Sequence, residues 1–247
     1  MLELGLVSVS FRDRSPSEII RAAARCGLSC IEWGSDVHAP CGDAGRLKSI
    51  KAECDGAGIR CRSYGTYFRI GENSPEEIFR YISAAKLLGA EILRLWCGGK
   101  SALEYPAAEK KALFEECRRL ARAAEKENVK LCLECHINTF TDTLSETLEL
   151  LESVNSPAFG MYWQPNQYKS EDENYEYAKA VCRRAEIVHA FNWQGEKKLP
   201  LALAGQTWRR YLSLFPGKTV LLEFMPDGRI ESLAEEAEAL KKITEGL

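Results

Sequence analysis

Four polar residues interrupt or close apolar runs in this sequence, and together they could hold a metal ion and move a proton. Glu134 ends VKLCLE, Gln164 ends AFGMYWQ, His189 lies inside EIVHAFNW, and Glu223 stands just before the end of KTVLLEF. An acid in such a run is costly to desolvate unless it is paired or binds a metal. Carboxylate, imidazole and amide oxygen suit a divalent ion such as Mn²⁺, Mg²⁺ or Zn²⁺. The two carboxylates could also act as general base and acid on one substrate. An ion pair is the competing account, and Arg94 in EILRLWC is the available cation.

Other chemistry-bearing residues sit near the same places. Glu32, Trp33 and His38 fall in IEWGSDVH, Tyr64 in IRCRSYG, Trp96 two residues after Arg94, and His136 in LCLECH. Asn166 follows Gln164 and Pro165, and Trp193 ends AFNW. With Arg94, these are the expected substrate contacts. Aromatic faces combine apolar area with a polar edge and suit the C–H faces of a sugar. For Trp33, Trp96, Trp163 and Trp193, capping a core is an equally open account.

The elements that must position these residues alternate. Strands are expected at 4–11, 28–34, 59–65, 90–98, 129–136, 158–164, 186–193 and 218–224. Each is followed by a helical segment: 15–27, 43–58, 74–89, 106–128, 142–155, 171–185, 203–215 and 231–243. Ser-Pro starts and Gly stops mark several of those helices. Strand–helix alternation implies a parallel sheet. Eight units in about 250 residues imply a closed (β/α)₈ TIM barrel, an α/β fold, as one domain over 1–247. A doubly wound sheet would want a glycine-rich phosphate turn after its first strand, and SFRDRSP is not one. In such barrels the site lies at the carboxyl ends of the strands. Residues two apart share a strand face, so an inward Glu134 carries Cys132 and His136 inward and turns Leu131 and Leu133 out; an inward Glu223 carries Leu221 with it.

Composition narrows the classes. The chain is 45% hydrophobic and 28% charged, with a net charge of -3, so there is no basic excess to neutralise a nucleic-acid backbone. The ten cysteines are scattered, and Cys132 and Cys135, a CxxC pair, would point to opposite faces of a strand; reduced thiols are expected. No leader-like start and no long apolar window are present, so a cytoplasmic protein away from membranes is expected. A homo-oligomer is compatible with the sequence.

GLSCIEWGSDVH, LCLECH, IVHAFNW and VLLEF, in the order of eight units, resemble the xylose isomerase-like TIM barrels, the superfamily of sugar phosphate isomerases and epimerases related to endonuclease IV. The resemblance implies a metal held by a Glu on strand five, an Asp on strand six, a His on strand seven and a Glu on strand eight. These fall on Glu134, Gln164, His189 and Glu223. Gln164 stands where Asp is usual, and Phe191 and Asn192 replace a lysine and aspartate, which marks a divergent member. The implied activity is isomerisation or epimerisation of a small carbohydrate, phosphorylated or free, by proton transfer through an enediolate, with Glu134 and Glu223 as catalytic acids and bases. One acid suffices for an isomerase, and two on opposite faces permit epimerisation. A sugar-binding barrel without catalysis is the alternative; an endonuclease IV-like repair enzyme would need more histidines than three.

Overall fold

The computed structural model describes all residues, 1–247. Eight strands close into a parallel barrel in sequence order: β1 (Glu3–Val7), β2 (Cys30–Gly34), β3 (Arg60–Ile70), β4 (Ile92–Cys97), β5 (Lys130–Glu134), β6 (Phe159–Trp163), β7 (Ala185–Ala190) and β8 (Thr219–Leu222). β8 pairs with β1, which completes the ring. Eight helices surround it: α1 (Pro16–Arg25), α2 (Ala44–Gly56), α3 (Ile78–Leu88), α4 (Ala107–Lys126), α5 (Leu144–Val154), α6 (Glu171–Val181), α7 (Gly205–Leu212) and α8 (Leu233–Thr244). The fold is a single-domain (β/α)₈ barrel.

The local chemistry that starts and stops the helices is as the sequence signals. At α1, the Ser15 hydroxyl accepts the Glu18 N–H, Glu18 reaches back to the Ser15 N–H, and Pro16 occupies the first turn. Ser170 and Glu173 repeat the arrangement at α6. Gly89 ends α3 with a left-handed φ of 71°, a conformation that glycine adopts without a Cβ penalty.

Alternation along the strands divides the core in two. Leu131, Leu133, Trp33 and Trp163 face the helices in the main core, whereas Val7, Cys30, Ile92, Cys132, Tyr162, Ile187 and Leu221 pack inside the barrel. Above that inner layer the apolar filling stops. Glu32, Arg94, Glu134 and His189 take its place, all at most 3% exposed. Upper-layer polarity is the feature that positions the site.

Three strand ends differ from expectation by three residues or more. β1 ends at Val7, and Ser8–Phe11 turns as a short 3₁₀ helix because the Ser8 hydroxyl accepts the Gly34 N–H at 2.9 Å. β3 runs on to Ile70 through the β-favouring TYFRI. Gly65 there is no stop: a Cβ would lie 2.7 Å from Glu32 Oε1 and 3.0 Å from Arg94 Nη2, so its absence makes room for that pair. β7 ends at Ala190, and Trp193–Gln194 pairs antiparallel with Lys197–Lys198 in a hairpin.

Candidate active site

The polar cluster begins with Arg94 on β4. Its Nε donates to Glu32 Oε1 at 2.9 Å, and Nη1 donates to Glu134 Oε2. The same Glu134 oxygen accepts Trp96 Nε1–H at 2.6 Å. The Ser63 hydroxyl donates to Glu32 Oε2 at 3.0 Å. One guanidinium thus ties β2 to β5 across the inside of the barrel. The ion pair expected as the rival to metal ligation therefore exists, and it engages only one edge of Glu134.

The other edge belongs to a second group. His189 Nδ1, fully buried, lies 3.3 Å from Glu134 Oε1, 3.5 Å from Glu223 Oε2 and 3.3 Å from Gln164 Oε1. Three oxygens converge on one ring nitrogen, which can donate at most one hydrogen. The candidate ligand atoms of Glu134, His189 and Glu223 all lie within 4.8 Å of one another. Charge points the same way. Three buried carboxylates, Glu32, Glu134 and Glu223, face one guanidinium, so with a neutral imidazole two negative charges remain, which a single divalent ion balances. The donor set is oxygen-rich with one imidazole, as Mn²⁺, Mg²⁺ and Zn²⁺ accept. The residues present fit a divalent ion held by Glu134, Gln164, His189 and Glu223.

The cluster opens upward into a cavity of about 310 Å³. Glu134, Gln164, Glu223, Arg94, Trp96, His136 and Trp193 line it, all of them residues singled out in the sequence. Val9, Arg12, Tyr67, Gln167, Phe191 and Phe224 complete the wall. Arg12 is held there by Asp36 and by the Tyr67 hydroxyl, 2.6 Å from its Nη2. Of these, Arg12 and Tyr67 escaped the sequence reading: Arg12 stands in a turn that reads as a helix approach, and Tyr67 lies past the assumed end of β3. Phe224 adopts a φ of 59°, unusual for a bulky residue and of the kind that stores about 1–3 kcal/mol at functional sites. Its N–H donates to the Ser10 hydroxyl at 3.0 Å.

Three residues expected at the mouth, Trp33, Tyr64 and His38, are placed elsewhere, Asn166 lies beside it, and Glu32 lies below it. Trp33 is fully buried in the outer core; because Glu32 points inward, the alternation turns Trp33 toward the helices. Tyr64 follows the same rule beside inward Ser63, and its hydroxyl donates to the Ala39 carbonyl at 2.5 Å. His38 is fully buried, 3.2 Å from the Ser8 hydroxyl and from the Phe11 and Arg14 carbonyls, which makes it a brace for the β1 turn. Asn166 shapes the loop after β6: its side-chain oxygen accepts the Tyr168 N–H at 2.9 Å, and it lines a smaller neighbouring cavity of about 60 Å³. Glu32 is buried beneath the ring, next to His189.

The cluster perturbs its own titration. Burial alone would raise the Glu32 carboxyl, but the Arg94 charge and the neighbouring His189 and Tyr162 outweigh it and hold the group at about 2. Glu134 is likewise held below the usual carboxylate range, against burial, by Arg94 and His189. Burial opposes charge on His189, yet Glu223, Glu134 and Glu32 raise it well above the ordinary value. A depressed carboxyl contributes stability that is present above its unfolded value and lost as pH falls through the folded one. For Glu32 that window runs from pH 4.5 down to about 2. The shift corresponds to on the order of 3 kcal/mol. Urea unfolding of the metal-free protein should show this fall below pH 4.5, and Glu32→Gln should reduce it, leaving the part that Glu134 contributes. An equal fall in the variant removes Glu32 as its source.

A closed parallel barrel of eight strand–helix units defines the class of fold. The chain belongs to the xylose isomerase-like TIM barrel family, whose model matches residues 20–217. Over the whole fold it resembles a probable 3-DHS dehydratase from Bacillus anthracis, with a TM-score of 0.80 and 18% identity, covering 98% of this chain and 99% of that one. A D-allulose 3-epimerase from Methylomonas sp. gives a TM-score of 0.74 at 18% identity, with 98% of each chain covered. A 3-dehydroshikimate dehydratase of Bacillus anthracis is 34% identical over 65 residues, a stretch spanning 26% of this chain and 23% of that relative.

Proposed function

We propose that the protein is a metal-dependent isomerase or epimerase of a small polyhydroxylated carbonyl compound, acting by proton transfer at the carbon beside the carbonyl. The observation that carries this is the convergence of Glu134 Oε1, Glu223 Oε2 and Gln164 Oε1 on His189 Nδ1, all at 3.3–3.5 Å, under an open cavity. A divalent ion there would supply Lewis-acid polarisation of the substrate carbonyl. Glu223 accepts the α-proton, because its carboxylate meets only His189 within the cluster, while Glu134 Oε2 is taken by Arg94 and Trp96. His136 is the second proton carrier: its Nδ1 lies 2.7 Å from the Ile137 carbonyl and holds its hydrogen there, which leaves Nε2 free beside the cavity. The result is an enediolate that can be reprotonated at either carbon. Trp96 and Trp193 flank the cavity and suit the C–H faces of a polyol.

Elimination is the second reading, favoured by the dehydratase among the relatives. It shares the first step, loss of the α-proton, and differs in expelling a β-hydroxyl instead of recovering a proton.

Incubation with Mn²⁺ in D₂O and a panel of ketohexoses and cyclic β-hydroxy ketones separates these. Deuterium at the α-carbon with no loss of mass marks isomerisation or epimerisation. Loss of water with growth of enone absorbance marks elimination. Binding without either sinks the catalytic reading and leaves a sugar-binding barrel.

A further inference from the structure

Glu32 has no place in the ring above and lines no part of the cavity, yet the barrel commits much to it. It is fully buried. Arg94 and Ser63 donate to it, and β3 carries Gly65 where any Cβ would strike its Oε1 at 2.7 Å. One lone-pair direction of Oε2 remains, and His189 Nε2 faces that oxygen at 3.7 Å. His189 Nε2 and Tyr162 Oη are buried without a hydrogen-bond partner. The Tyr162 ring meets the imidazole edge-on with centroids 5.1 Å apart, which limits how the imidazole can tilt.

We infer that Glu32 is a positioning residue that selects the metal-binding form of His189. Its carboxylate takes the Nε2 hydrogen, so Nδ1 presents a lone pair to the space between Glu134, Gln164 and Glu223. This rests on the metal reading given above. A carboxylate behind a ligating imidazole fixes the tautomer and the ring orientation, and its loss typically lowers metal affinity 10–100-fold. Arg94 adds a second consequence. It binds Glu32 and Glu134 at once, so the partner of the imidazole and one ligand carboxylate are held in a fixed relation by one rigid fork.

Glu32→Gln is the sharpest probe, because an amide is directional. Its oxygen stays on Arg94 Nε, which can only donate. Its NH₂ then faces Ser63 and His189 Nε2. Nε2 must become the acceptor, which moves the ring hydrogen to Nδ1 and blocks the ligand position. Calorimetric titration with Mn²⁺ should show Kd raised 10–100-fold in Glu32→Gln, with the protein folded by circular dichroism. Ser63→Ala removes a different partner of Glu32 and should lower the Tm while leaving Kd within about threefold. Binding in Glu32→Gln equal to the parent overturns the inference alone. No binding in the parent overturns the metal reading and this inference with it. If Glu32→Gln fails to fold, the parent loaded with Zn²⁺ decides by long-range ¹H–¹⁵N NMR. Coordination through Nδ1 with a downfield, hydrogen-bonded Nε2–H supports the inference; coordination through Nε2, or an unshifted proton, overturns it.

Discussion

Arg94→Met is expected to destabilise the protein by about 3–5 kcal/mol at neutral pH, the range seen when one partner of a buried ion pair is removed. Methionine keeps much of the volume, so packing is not the main loss. The loss is electrostatic. Arg94 is 3% exposed and is the hydrogen-bonded cation for both Glu32 and Glu134, which are 0% and 3% exposed. Without it, two carboxylates stay buried with only the His189 imidazole as a cationic neighbour, and desolvation then favours their neutral forms. The penalty should therefore shrink as pH falls, since protons can replace the guanidinium. Urea unfolding of parent and variant at pH 7 and pH 4.5 measures both terms. Adding Glu32→Met to Arg94→Met should recover part of the stability, because the double variant buries one charge fewer. A single-variant loss below about 1 kcal/mol would place the pair with weak surface bridges and remove it as the organiser of the upper barrel.

The eight-unit barrel was legible because its signals are local. Capping residues at Ser15 and Ser170 and alternation along VKLCLE each speak for an element on their own. The ring of Glu134, Gln164, His189 and Glu223 was legible for a related reason: a polar residue in an apolar run has few accounts, and barrel closure brings equivalent strand ends together. Two of the misplaced residues share one cause. Trp33 and Tyr64 follow inward neighbours, Glu32 and Ser63, so strict use of the two-residue period turns them outward; nearness in sequence to a polar residue is not nearness in space. His38 is different. Its role depends on the turn at Ser8–Phe11, whose path is set by side-chain bonds between loops and leaves no periodic trace. The double engagement of Glu134, by Arg94 on one oxygen and by the imidazole on the other, needs distances. Sequence allowed metal ligation and ion pairing as rivals, and the geometry accommodates both.

That double engagement separates the two ring glutamates, and the separation can be measured. Glu134→Gln keeps its one oxygen on Arg94 and Trp96 and turns its NH₂ toward the ion, so the site should hold its shape and lose one negative charge and one ligand oxygen. Weaker metal binding follows, and excess Mn²⁺ should restore much of the activity. Glu223→Gln is a different lesion. Its carboxylate is the one with room to take a proton, since within the cluster it meets only His189, at 3.5 Å. Positioned acid–base groups contribute about 10²–10⁴-fold, and that loss in α-proton exchange should persist at saturating Mn²⁺. Exchange into D₂O followed against Mn²⁺ concentration distinguishes them: one variant is rescued along a shifted binding curve, the other reaches a low plateau. Equal rescue of both would make the two glutamates plain ligands and pass the proton to His136, whose Nε2 is the cavity nitrogen able to accept one. In that event His136→Gln, which keeps an amide near the cavity wall but cannot accept and return a proton at neutral pH, should show the low plateau instead.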